Sequence, residues 1–218
     1  MRAGCGHLHR LREHRAAKAG QKCTAIRRII VPAAQLDAVA GALQARLEKT
    51  TVGDPGAEGV RMGPLVGRDQ ARDVRASVEQ LASECEVIYG GGETFPLTGT
   101  DNSSGAFFPP TLLRCDDPHG KTLVHEVEAF GPVSTLIPYQ DIDDAIAITR
   151  LGKGSLVGSL FTFDDAEARQ VILGTAPWHG RMLIINRDCA GESTGHGSPL
   201  APLVHGGPGR AGGGEELG

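Results

Sequence analysis

Apolar residues recur along this chain at two periods, and the alternation between those periods lays out its elements. Ala25 to Val31 is rich in isoleucine and valine and predicts a strand, which Pro32 ends. Leu36, Val39, Leu43 and Leu47 then return at helical spacing, predicting an amphipathic helix to about Lys49. Glycine and proline punctuate Val52 to Pro64, so that stretch reads as a loop. A second helix over Gly67 to Ser83 places Ala71, Val74, Val78 and Leu81 on one face. Cys85 to Tyr89 is a short strand closed by Gly90, Gly91 and Gly92. Phe107 to Leu113 is predicted as an edge-like strand, because Pro109 and Pro110 cannot donate to a ladder. Val133 to Pro138, Leu156 to Thr162 and Met182 to Asn186 complete the strands. Helices at Asp141 to Arg150 and Asp164 to Leu173 lie between them, and the second begins with acidic residues where the helix dipole favours them. Strand and helix in alternation imply an α/β fold, mainly a parallel sheet with helices on both faces. There is no internal repeat.

Composition narrows the class without naming a partner. The chain has 218 residues, 22% charged and 40% hydrophobic, enough for one domain with a substantial core and unlike a disordered tail. A formal charge of -4 leaves no footprint for nucleic acid or a membrane surface. Five cysteines without a CxxC pair indicate neither a disulfide framework nor a zinc site, so a reducing, cytoplasmic setting is the simpler expectation. The first segment is rich in arginine and histidine; its Cys5, His7 and His9 lack the second ligand pair that a tetrahedral metal site requires.

The chemistry centres on GQKCTAIRR at Gly20 to Arg28. Small and polar neighbours, with Lys22 beside it and a strand following, are the setting of a nucleophile at Cys23. The chain also carries GDP at Gly53 to Pro55, MGPLV at Met62 to Val66, AFFPPTLL at Ala106 to Leu113, EAFGPV at Glu128 to Val133 and HGGPGRAGGGEELG at His205 to Gly218. In this order these segments resemble the catalytic domain of the aldehyde dehydrogenase superfamily over residues 19–218, with residues 1–18 unmatched. The combination with the run Ser193 to Gly218 is most similar to the dehydrogenase half of the bifunctional ring-opening enzymes of phenylacetate degradation (oxepin-CoA hydrolase and semialdehyde dehydrogenase). The semialdehyde dehydrogenases of the aerobic benzoyl-CoA pathway are nearly as similar.

The resemblance implies oxidation of an aldehyde through a thiohemiacetal on Cys23, with the backbone N–H of Cys23 contributing to the oxyanion site. It also implies that Glu128 accepts from the nicotinamide ribose hydroxyls while Phe130 supports the nicotinamide end, with NADP or NAD as cofactor. The implied substrate is a semialdehyde carrying CoA at its far end, and full-length relatives are expected to be homo-oligomers. The cofactor-binding domain, the general base and the closing helix and strand of the family fall outside these residues. The chain is therefore expected to be a partial catalytic domain, truncated at both ends and inactive in NADP-dependent oxidation by itself. His125 and Glu126 match no role and read as surface residues at a helix end. Two other readings stay open: an inactive module that binds partners, and a cysteine-dependent acyl transferase or hydrolase, which would need a histidine base that no pattern supplies.

Overall fold

A computed structural model describes residues 17–103, 105–193, 195–197 and 205–212. Two compact units emerge among them, divided between Pro138 and Tyr139.

The first unit is built on a four-stranded sheet of β1 (Arg28–Pro32), β2 (Glu86–Tyr89), β3 (Thr111–Arg114) and β4 (Val133–Tyr139), in the order β1-β4-β3-β2. β3 and β4 run parallel, with Thr111 opposite Val133 and Arg114 opposite Leu136, whereas β2 joins β3 antiparallel. The inner pair carries the core. Thr111, Leu112 and Leu113 on β3 and Val133 to Ile137 on β4 are all buried, the continuous run expected of strands covered on both faces. On the outer strand β1 only Ile29 and Val31 are buried, so burial alternates there and the other face is half-buried. The paired prolines Pro109 and Pro110 precede β3 instead of lying within it. Phe107 to Leu113 is thus not an edge strand: the ladder starts only where every residue can donate, and Thr111 to Arg114 takes an interior place.

Two helices pack on this sheet. α1 (Leu36–Leu47) buries Leu36, Ala40, Leu43 and Leu47; Ala40 takes the place expected for Val39, which is only half-buried. Its Gln44 Nε2 donates to Ile88 O on β2 at 2.8 Å, and Asp37 meets Arg114 of β3 at 2.8 Å. α2 (Arg68–Ala82) buries Val74, Val78 and Leu81. A third helix that the periodicity did not announce, α3 (Leu123–Glu126), is a single turn.

In the second unit β5 (Ser155–Phe161) and β6 (His179–Ile185) form a parallel pair, Ser155 opposite His179 and Phe161 opposite Ile185. α4 (Ile142–Arg150) starts at Asp141, whose carboxylate accepts from Asp144 N–H at 2.9 Å. α5 (Asp165–Thr175) starts at Asp164, which accepts from Ala166 N–H at 2.8 Å and Glu167 N–H at 3.1 Å. Both acidic residues are N-caps, satisfying donors that the first turn leaves open. The whole is α/β with mostly parallel strand pairing, as the alternation predicts.

Candidate active site

The segment around Cys23 is shaped by two backbone bonds: Lys22 N–H donates to Gly20 O at 2.9 Å and Ala25 N–H to Lys22 O at 2.8 Å. The second closes a tight turn with Cys23 and Thr24 at its centre, leaving Cys23 exposed and Thr24 buried. On one side Gln21 Oε1 accepts from Val66 N–H at 2.9 Å, so the MGPLV segment braces the turn. Beyond Cys23 the chain enters β1 alongside β4, where Thr135 N–H donates to Arg27 O at 2.8 Å and Ser134 Oγ–H to Ile26 O.

That pairing decides the geometry, because β4 is the strand into which the EAFGPV segment runs. Gly20 has φ +73°, and a Cβ placed on it would stand 2.2 Å from Gly131 O and 2.8 Å from Pro132 N. The backbone of the Cys23 segment is therefore in direct contact with the backbone of the Phe130–Gly131–Pro132 turn. Only glycine fits there. Gly131 is crowded in its turn by Val74 of α2, whose Cγ2 would be 2.7 Å from an added Cβ. Gln70, also on α2, donates from Nε2 to Phe130 O at 3.2 Å.

Phe130 itself has φ +49° and is 41% exposed. A bulky residue in the left-handed region costs about 1–2 kcal/mol, and folding would normally bury the ring in compensation. Here the ring stays partly exposed, while Gln70 holds the Phe130 carbonyl. Glu128 is exposed two residues earlier. Beneath this arm lies a void of about 10 Å³ lined by Arg27, Val127, Ala129, Val133 and Ser134, barely one water in size. The arm is packed against the sheet.

His125 departs from expectation. It is 3% exposed, not a surface residue, with Nε2 2.7 Å from Pro118 O and Nδ1 3.1 Å from Arg28 Nη1. Burial, with Arg28, Arg27 and His119 nearby, holds its pKa below the usual histidine range. Its place in a one-turn helix against β1 has no periodic signature, which is why the pattern HEVE read as solvated. Glu126 is exposed, as expected. Gly20, Gln21 and Gln70 also carry no local signal, since each acts on a residue far away in sequence.

The remaining candidates fall elsewhere. Cys5, His7 and His9 lie outside the described residues. Among the described residues no group of three or more His, Cys, Asp or Glu side chains could hold a metal ion, and no helix is long and apolar enough to cross a membrane. Of the glycine-rich end, residues 205–212 are described: they belong to the second unit, where Arg210 N–H donates to Lys153 O at 3.0 Å.

Comparison with known proteins meets this geometry at the family level. The aldehyde dehydrogenase family profile matches residues 8–216. The chain belongs to the aldehyde dehydrogenase family. It is 44% identical over 191 residues to the 3,4-dehydroadipyl-CoA semialdehyde dehydrogenase of Aromatoleum evansii, covering 88% of this chain and 37% of that protein. It is 54% identical over 158 residues to Protein MaoC of Klebsiella aerogenes, covering 72% of this chain and 45% of that protein. The chain thus spans roughly two fifths of the length of these curated relatives. In fold it is similar to a betaine aldehyde dehydrogenase from Staphylococcus aureus, solved in complex with NAD+, with a TM-score of 0.81, 23% identity and 96% of this chain aligned to 40% of that one.

Proposed function

We propose that this chain is the catalytic part of an NAD(P)-dependent aldehyde dehydrogenase that oxidises a CoA-linked semialdehyde to the acid in the degradation of aromatic compounds such as phenylacetate. The observation that carries the reading is the contact of Gly20 with Gly131 and Pro132, which joins the turn of an exposed cysteine to the turn of an exposed carboxylate and ring.

In this reading Cys23 Sγ adds to the aldehyde carbon, forming a C–S bond and an alkoxide. Loss of hydride from that carbon leaves a thioester on Cys23, and water then cleaves the thioester to release the acid and return the thiol. A nicotinamide cofactor, when bound, supplies the acceptor for the hydride. Glu128 and Phe130 are the residues here that would hold it, the carboxylate toward ribose hydroxyls and the ring behind the nicotinamide. The fit lies in Phe130: its backbone sits in a costly conformation and its apolar ring is partly exposed two residues from an exposed carboxylate, a combination suited to a flat heterocycle linked to a sugar. NADP is the proposed form, with NAD the alternative, and a cytoplasmic homo-oligomer the proposed setting.

The name of the Aromatoleum relative supports a CoA-linked substrate and favours a second reading in the same class, a semialdehyde dehydrogenase of the aerobic benzoyl-CoA pathway. The test is to assay the full-length protein with NADP+ and NAD+ on a CoA-linked semialdehyde and on its free-acid counterpart, with Cys23→Ala beside the wild type. Oxidation of the CoA-linked aldehyde that vanishes in Cys23→Ala is expected. Turnover that survives the substitution would overturn the role of Cys23.

A further inference from the structure

His125 is a buried polar group that the chemistry above does not use. It sits on α3 three residues before Glu128, and a one-turn helix has too few internal hydrogen bonds to hold itself. The arm is held from outside at three levels. At its start Glu84 Oε2 accepts from Thr122 N–H at 3.0 Å and Leu123 N–H at 2.7 Å, satisfying donors of the first turn. At its end Arg27 Nη1 donates to Val127 O at 3.5 Å, just before Glu128. Between them His125 bridges Arg28 Nη1 and Pro118 O.

Both partners of the ring have fixed polarity. A guanidinium only donates and a carbonyl only accepts, so Nδ1 is the bare acceptor and Nε2 carries the proton. A single tautomer of the neutral ring satisfies both contacts. Arg28 opens β1, the strand the chain enters on leaving the Cys23 turn, and Pro118 begins the loop that leads into α3. The ring therefore fastens the arm that bears Glu128 and Phe130 to the strand that leaves Cys23.

We propose that His125 is a positioning residue which, through Arg28 and Pro118, sets where Glu128 stands relative to Cys23 and so governs affinity for the nicotinamide nucleotide. The inference rests on the proposed function, and His125 touches neither substrate nor nucleotide in it. Protonation would turn Nδ1 into a donor facing a donor and add a cation beside Arg28, Arg27 and His119. Of the acidic groups nearby, Glu84 is engaged by the backbone at the start of α3, and Glu126 and Glu128 on the arm are exposed to solvent. The link holds at neutral pH and breaks on acidification.

The experiment is calorimetric titration of the full-length protein with NADP+ and with NAD+. It compares wild type with His125→Leu, which keeps bulk but no ring nitrogen, and His125→Gln, which keeps one donor and one acceptor. His125→Leu is expected to raise Kd roughly tenfold, the size usual for a residue acting through others, and His125→Gln to restore most of the loss. Iodoacetamide should label Cys23 at similar rates in all three. Unchanged nucleotide affinity in folded His125→Leu overturns the proposal. If that variant does not fold, His125→Gln decides: affinity that falls as pH is lowered below about 6.5 in wild type but not in the variant supports it, and identical pH profiles down to the acid limit of the fold overturn it. No nucleotide binding by the wild type would instead overturn the proposed function, an outcome distinct from wild-type binding that His125→Leu leaves unaltered.

Discussion

Gly20→Ala tests the junction between the two motifs most directly. The new methyl would lie 2.2 Å from Gly131 O, 2.4 Å from Gly131 C and 2.8 Å from Pro132 N, all backbone atoms that no rotamer change can move. Relief to an ordinary contact needs the two backbones to part by about 1 Å, and the left-handed conformation at φ +73° adds about 1–2 kcal/mol for a residue with a side chain. Strain of this kind at an over-determined site costs of order 1–3 kcal/mol more. The sum is about 3 kcal/mol, or a fall in Tm of roughly 6–12 °C for a chain of this size. A 1 Å displacement of the Cys23 turn from the Phe130 turn should also lower kcat/KM by about 10²-fold. Gly41→Ala is the control: it sits on the exposed side of α1 with nothing within 4 Å of the added Cβ, so it should raise Tm slightly through better helix propensity. The assays are thermal melts by circular dichroism and aldehyde oxidation by the full-length protein. A Gly20→Ala variant with wild-type Tm and activity would refute the argument that the two turns meet backbone to backbone.

Brief iodoacetamide labelling of the native protein should modify Cys23 and Cys189, which are exposed, well before Cys85 and Cys115; contact with Cys115 and burial push the Cys85 thiol up, and peptide mapping gives the order. Asp164→Ala should cost about 1 kcal/mol by removing the two hydrogen bonds that cap α5, read from urea melts. Acid should destabilise the fold through His125. Its folded pKa is depressed, so below about 6.5 the unfolded chain takes up a proton that the folded one refuses; stability present above that pH is lost as pH falls toward the folded value. Melts from pH 8 to 5 should show the loss in wild type and a flatter profile in His125→Gln.

Local pattern by itself determined the elements whose causes are local. The buried stripes of α1 and α2 follow from the spacing of Leu36, Leu43 and Leu47 and of Val74, Val78 and Leu81, and the starts of α4 and α5 follow from Asp141 and Asp164, because a helix buries one face at its own period and is capped by its own neighbours. The family was also legible from its segments in order, and Cys23, Glu128 and Phe130 could be named as candidates residue by residue. Only the tertiary structure decided how the pieces meet. The prolines ahead of β3 suggested an edge, but a strand's rank depends on which partners flank it, and β4 and β2 both do. His125 and Glu126 read as surface residues at a helix end, yet Arg28 and Pro118 supply groups that let a neutral histidine be buried. Nothing near Gly20 announces Gly131, since their contact exists only once β1 lies beside β4. Periodicity records what a residue's neighbours in sequence require; register, strand order and the approach of two backbones are set by residues far along the chain, and they come into being only when the sheet closes.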